Sequence, residues 1–296
     1  MTIRVRKRLA ARPGHVQGGR MQRRFFLPSV IASLIASLAL AVFVGEATAA
    51  QSNWSDGERS RLRLIAAPVD GEAMAGIEIE LEPGWHTYWR SPGDVGIPPR
   101  FDFSGSQNLR AARVLYPAPE RYDDGTSISA VYFDRTALPV LVTADDPAKP
   151  VVLKLSAFYG VCKDVCIPAD GAATLTIDPQ PKDDPRARIA LKEAVAELPQ
   201  QGPAPGLAIE RPQRDGSDVT IPVVAEGAPK HAPVLFAEAP DGAYLPVPEL
   251  GPHEGANFIY HLRFSNAEEA AALSGKEIRF TLVSGGEAIE QSMKLP

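Results

Sequence analysis

Two cysteines, Cys162 and Cys166, occur in the 296-residue chain, with three residues between them. They lie in the segment Phe158-Tyr159-Gly160-Val161-Cys162-Lys163-Asp164-Val165-Cys166-Ile167-Pro168, where one apolar run ends and the next begins. A tight bend at Lys163–Val165 would bring the two Cα atoms within bonding range. Three chemistries suit such a pair: thiol–disulfide exchange, a structural bridge, or a soft ion such as Cu(I) held by two thiolates. As a staple the pair is weak, because closing a loop of about five residues removes only ~2 kcal/mol of unfolded-state freedom. A short bridge in a bend is also more readily strained, and strained or exposed bridges are the reducible ones. A zinc site needs two further ligands, and His86, His231, His253 and His261 include no tight ligand pair. Exchange therefore leads. A non-catalytic exported binding module with a structural disulfide, or a Cu(I)-handling protein, remain as alternatives. The chain has no Gly-rich phosphate loop, no G-x-S-x-G and no H-E-x-x-H, so the expected cofactor is none beyond a redox-active disulfide.

Cysteine chemistry depends on compartment, and the first fifty residues address that. Arg4, Arg6, Lys7, Arg8, Arg12, Arg20, Arg23 and Arg24 form a basic leader, followed by an apolar run from Phe25 to Val44 and the small-residue stretch Ala47-Thr48-Ala49-Ala50. This is the pattern of a secretory signal cleaved near residue 50, and Arg23-Arg24-Phe25-Phe26-Leu27 resembles a twin-arginine export signal. The expected location is the periplasm, where a disulfide is the default state of two cysteines. Beyond the leader the chain carries 23 basic and 35 acidic residues, a net charge of −12. Such a surface repels phosphate, which argues against nucleic acid as a partner.

The elements that position the pair read as short β-strands. With 28 prolines and 24 glycines, turns are frequent. Arg61–Ile65, Gly76–Leu81, Val151–Leu155 and Ala173–Ile177 alternate apolar and polar residues, which puts one face of each in a core. Turn clusters separate them, and the spacing predicts an antiparallel immunoglobulin-type sandwich over residues 51–180. Residues 181–205 read as a Pro-rich linker with one short helix over Arg186–Leu198, its apolar positions Ile189, Leu191, Val195 and Leu198. A second β-sandwich is expected over 206–296, from Val219–Ile221, Val234–Phe236, Phe258–Leu262 and Ile278–Leu282, with a helical turn within Asn266–Leu273. The fold class is thus all-β, two immunoglobulin-like sandwiches in tandem.

Several blocks in order resemble the periplasmic N-terminal domain of the DsbD/ScsB family of thiol–disulfide interchange reductases. They are Pro83-Gly84-Trp85-His86-Thr87-Tyr88-Trp89-Arg90-Ser91-Pro92-Gly93-Asp94, then Tyr116–Arg121, Leu138-Pro139-Val140, and Tyr159–Pro168. The resemblance covers roughly residues 58–178 and implies both active cysteines on one hairpin of an immunoglobulin-like fold. It implies a membrane-embedded thiol electron transporter as donor, a periplasmic thioredoxin-like protein as client, and no small-molecule cofactor. By the same resemblance Cys166 carries the intermolecular bond and Cys162 resolves it. The family's shielding loop corresponds to Arg121-Tyr122-Asp123-Asp124-Gly125, which makes Tyr122 the candidate cap, although the usual phenylalanine is missing. The segment's other reading is a simple acidic turn. Tyr88 and Tyr159 are candidate walls of the site, and Trp85 either a wall or core. Glu120 and Asp123 are candidate proton acceptors. Lys163 would favour a thiolate and Asp164 oppose it.

Overall fold

The computed structural model describes residues 50–93, 95–227, 232–239, 242 and 245–296. The expected signal sequence, Asp94 and His231 lie outside the described residues. No helix among the described residues is long and apolar enough to cross a membrane.

The first half of the chain folds as β1 (Ser55–Gly57), β2 (Ser60–Val69), β3 (Glu72–Leu81), β4 (His86–Gly93), β5 (Arg100–Asp102), β6 (Leu109–Val114), β7 (Glu120–Asp123), β8 (Ile128–Phe133), β9 (Arg135–Ala144), β10 (Val151–Cys162) and β11 (Cys166–Ile177). One sheet has the order β1-β2-β3-β9-β6, the other β11-β10-β4-β8-β7 with β5 paired to β10. The alternating side chains of both sheets meet in one core that includes Leu62, Leu64, Ile77, Trp89, Leu138, Leu153, Tyr159 and Leu175. This is the immunoglobulin-like sandwich expected from the alternation.

The segment after residue 180 differs from a free linker. Its helix α1 (Pro185–Ala196) starts at the N-cap Asp184, whose carboxylate accepts from the backbone N–H groups of Arg186 and Ala187, with proline in the first turn. The helix buries Ala187, Leu191 and Ala194 against Ile65, Ala67, Val69 and Ala137 of β2 and β9. The expected apolar stripe is corrected here: Ile189 is 54% exposed. Residues 187, 191 and 194 follow the i, i+4, i+7 spacing of one helix face, whereas residue 189 sits on the far side. Small alanines let the helix approach the sheet, and Gly76 lies directly under Leu191: a Cβ there would stand 2.6 Å from Leu191 Cδ2.

The second sandwich comprises β12 (Gln200–Gln201), β13 (Leu207–Ile209), β14 (Gln213–Asp215), β15 (Asp218–Ala225), β16 (Val234–Glu238), β17 (Glu249–Glu254), β18 (Asn257–Arg263), α2 (Ala267–Ala272), β19 (Glu277–Ser284) and β20 (Glu287–Lys294). Its sheets run β12-β20-β19-β16 and β13-β15-β18-β17, with β14 paired to β15. Its core gathers Val219, Ile221, Tyr260, Leu262, Ile278, Phe280 and Leu282. The two sandwiches meet at β4. Phe236 of β16 packs against Trp89 with ring centroids 5.5 Å apart and joins the first core. Beside it, Arg90 donates to Glu238 at 2.6–3.0 Å and also to Glu290.

Candidate redox site

β10 and β11 form a hairpin in unbroken register from Val151↔Ile177 to Cys162↔Cys166. The turn Lys163-Asp164-Val165 is exposed and closed by Lys163 N–H donating to Val165 C=O at 3.2 Å. Cys162 and Cys166 are therefore directly opposed across an antiparallel pair, with Cα atoms 4.2 Å apart, and they are joined as a disulfide. The two sulfurs are not equivalent. Cys162 is 1% exposed, whereas Cys166, on an edge strand, is exposed.

The difference arises from what covers β10 at its end. Along most of β10 the outward-facing side chains are polar or partly exposed, but from Tyr159 to Cys162 both faces are buried. The outer face is covered by Tyr88 of β4. Its ring lies between two glycines: a Cβ at Gly96 would stand 2.5 Å from Tyr88 Cε1, and one at Gly160 2.9 Å from Tyr88 Cδ2. Gly96 also has φ +126°, which a side chain would resist. Held in this slot, Tyr88 donates its hydroxyl hydrogen to Cys162 Sγ at 2.8 Å, with Cys166 Sγ 3.1 Å away. Burial first, then the negative charge of Asp124 and the neighbouring Tyr122 phenol, raises the Tyr88 pKa. The phenol therefore stays protonated and remains a donor at neutral pH.

Next to Tyr88 stands an aromatic cluster. His86 is 3% exposed and pairs with Cys162 across the β4–β10 ladder. Its ring contacts Tyr88 edge-on at 5.5 Å, Tyr122 at 4.9 Å and Phe133 at 5.6 Å. Burial lowers the His86 pKa, opposed by the field of Asp124, so the ring is neutral at pH 7. Tyr122, from β7, packs on His86 and Phe133 over the patch formed by Tyr88, Val131 and Cys162. Beyond it Asp124 organises the turn, accepting from the Thr126 hydroxyl at 2.7 Å and from the backbone N–H groups of Thr126 and Ser127 at 2.8 Å, which holds its pKa at about 2. The segment is thus both an acidic turn and a covering strand.

The other expected residues lie elsewhere. Tyr159 is corrected from site wall to core: it is fully buried and its hydroxyl bonds Ser60 Oγ at 2.9 Å. Three residues from Cys162 along a strand, it necessarily points to the opposite face. Asp123 is likewise corrected as a proton acceptor. It accepts from Gly125 N–H at 3.0 Å and pairs with Arg121, and these bonds lower its pKa. Glu120 lies exposed in a cleft that also holds Glu193 and Glu197, and among the described residues neither it nor Asp123 bonds a sulfur. Trp85 packs partly buried against the first core under Arg59. Lys163 reaches back over Gly84, where a Cβ would lie 3.1 Å from its Nζ. Two contributors were missed from sequence, His86 and the glycine slot. Gly160 next to the cysteine segment was the available signal, since glycine inside a strand marks a close approach.

Residues 59–177 match the family model of the N-terminal domain of thiol:disulfide interchange protein DsbD. This segment belongs to that family. The N-terminal periplasmic domain of ScsB from Proteus mirabilis has a similar fold, with a TM-score of 0.66 and 21% identity over 83% of this chain and 98% of that one. That coverage extends past the DsbD-type segment into the second sandwich. No curated protein matches the chain. With the Cys162–Cys166 disulfide in place, the DsbD-type domain is a thiol–disulfide exchange module.

Proposed function

We propose that the protein is a periplasmic electron relay. It accepts electrons from a membrane-embedded thiol transporter and passes them to a thioredoxin-like client through Cys162 and Cys166, with no cofactor besides the disulfide. The observation that supports this reading most is the inequality of the sulfurs, one exposed at a hairpin end and one buried under a phenolic donor. In the reduced protein the Cys166 thiolate attacks the client disulfide, forming a mixed disulfide and releasing one client thiolate. Cys162 then attacks Cys166 Sγ and expels the second client sulfur. Two electrons pass to the client, whose sulfurs collect the two protons, and the donor later restores the dithiol. Tyr122 serves as the cap that a docking partner must displace.

The test is a Cys162→Ser variant, in which the resolving sulfur is missing. It should accumulate a mixed disulfide with a thioredoxin-like protein through Cys166. The reduction potential of the wild-type pair should lie above about −300 mV, the range of structural bridges. A potential below that, together with no trapped adduct, would refute the relay.

A further inference from the structure

We infer that His86 is the proton acceptor for the Cys162 thiol, so that a transient Cys162 thiolate–His86 imidazolium pair drives the resolving step. This deepens the exchange reading and rests on it. The step needs a base, because Cys162 must lose its proton before its sulfur can attack Cys166 Sγ, and at 1% exposure it has almost no water to give it to. Tyr88 bonds the sulfur at 2.8 Å but is already the donor, and its raised pKa bars it from acting as a base. Asp123 and Asp124 are exposed carboxylates tied up by the hydrogen bonds of their own turn.

His86 meets the requirements. It sits directly opposite Cys162 in the antiparallel ladder, which sets the two Cβ atoms about 4.5–5.5 Å apart on one face. It is buried and neutral at pH 7, so the imidazole has a lone pair with which to accept a proton. The groups facing it are Cys162 from β10, Tyr88 from its own strand, Tyr122 from β7 and Asp124 from the following turn, while β8 contributes only Phe133. Lys163 stands over Gly84, two residues before it. Asp124 supports the imidazolium once formed, and the aromatic walls keep the pair from solvent. The balance is simple: the proton moves from Cys162 Sγ to the imidazole, the S–S bond of the mixed disulfide breaks as Cys162–Cys166 forms, and the imidazolium returns the proton to the departing thiolate.

The experiment is stopped-flow reaction of the reduced full chain with 5,5′-dithiobis-(2-nitrobenzoate) from pH 5 to 9. The first nitrothiobenzoate is released by Cys166 and the second by the resolving attack of Cys162. In wild type the second phase should titrate with a histidine-like transition. In His86→Phe, which keeps the packing but not the base, it should slow about 100-fold at pH 7 and rise only as an ordinary thiol ionises. A second phase with wild-type rate and pH profile in His86→Phe overturns the role of His86. Wild-type protein that releases no second equivalent overturns the exchange reading itself. Should His86→Phe fail to fold, the titration of the His86 ring by nuclear magnetic resonance decides instead. Its proton affinity in reduced wild type should exceed that in Cys162→Ser by about tenfold, the mark of a neighbouring thiolate. Equal affinities refute the pair.

Discussion

Replacing Arg90 by methionine should cost the protein about 3–5 kcal/mol at pH 7, the penalty for leaving one side of a buried ion pair without its partner. The geometry sets this scale. The Arg90 side chain is 18% exposed, Glu238 13% and Glu290 12%, so all three are well withdrawn from water. Arg90 donates to Glu238 through Nε and Nη2 at 2.6–3.0 Å and to Glu290 through Nη2, and it stacks 4.3 Å over Trp89. Without it, two carboxylates face each other with the half-exposed Arg279, at 3.8–3.9 Å, as the nearby cation, and Glu290 keeps the Gln201 amide as a donor at 3.0 Å. The loss should also depend on pH. Despite burial, the nearby Arg90 charge and its hydrogen bonds hold the folded pKa of Glu290 below its usual 4.5. Its contribution is therefore present above about pH 4.5 and disappears as pH falls through the folded value. The Arg90→Met deficit should shrink on acidification for the same reason. Urea unfolding followed by tryptophan fluorescence at pH 7 and pH 4 measures both quantities, with Trp89 as an interface reporter. A deficit under 1 kcal/mol at pH 7, or one equal at the two pH values, would refute the clamp between the sandwiches.

Two further substitutions probe the redox site. Tyr88→Phe removes the hydroxyl aimed at Cys162, a hydrogen bond to a charged group worth about 1.5–3 kcal/mol. The Cys162 thiol pKa in the reduced protein should rise by about 1–2, read from thiolate absorbance at 240 nm, and an unchanged titration would show that the phenol is only packing. Gly160→Ala places a Cβ 2.8 Å from Ile97 Cβ and 2.9 Å from the Tyr88 ring, an overpacking that should cost about 1–3 kcal/mol and expose Cys162. Faster disulfide reduction by dithiothreitol together with a lower urea midpoint is the expected result, and wild-type values for both would mean the slot does not hold Tyr88.

The sandwich architecture was legible because strand alternation is local. The runs at Arg61–Ile65, Gly76–Leu81, Val151–Leu155 and Ala173–Ile177 all lie within strands, and each buries its apolar face. The helix was legible as an element but not in its buried face. Ile189 looks like a core residue by type, yet the sheet accepts the small Ala187 and Ala194 beside Leu191, because close approach to Gly76 favours small side chains. Tyr159 reads from the sequence as a candidate site wall, while the same period-of-two rule that locates the strands sends it to the opposite face from Cys162. Tyr88 reads from the sequence as a candidate wall and His86 does not, and only the pairing of β4 with β10 brings both to the sulfurs.

By itself, then, the sequence determined that the two thiols flank a three-residue bend between two alternating runs, and the family resemblance implied that they share one hairpin. Backbone geometry over a dozen residues suffices for the bend. Tertiary structure alone decided which sulfur is buried, which phenol bonds it and which imidazole lies opposite. It also decided that Arg90 meets Glu238 and Glu290, 148 and 200 residues further on. Those outcomes depend on strand order, register and the close approach of one sheet to another, and these emerge only when distant segments compete to fill a single core.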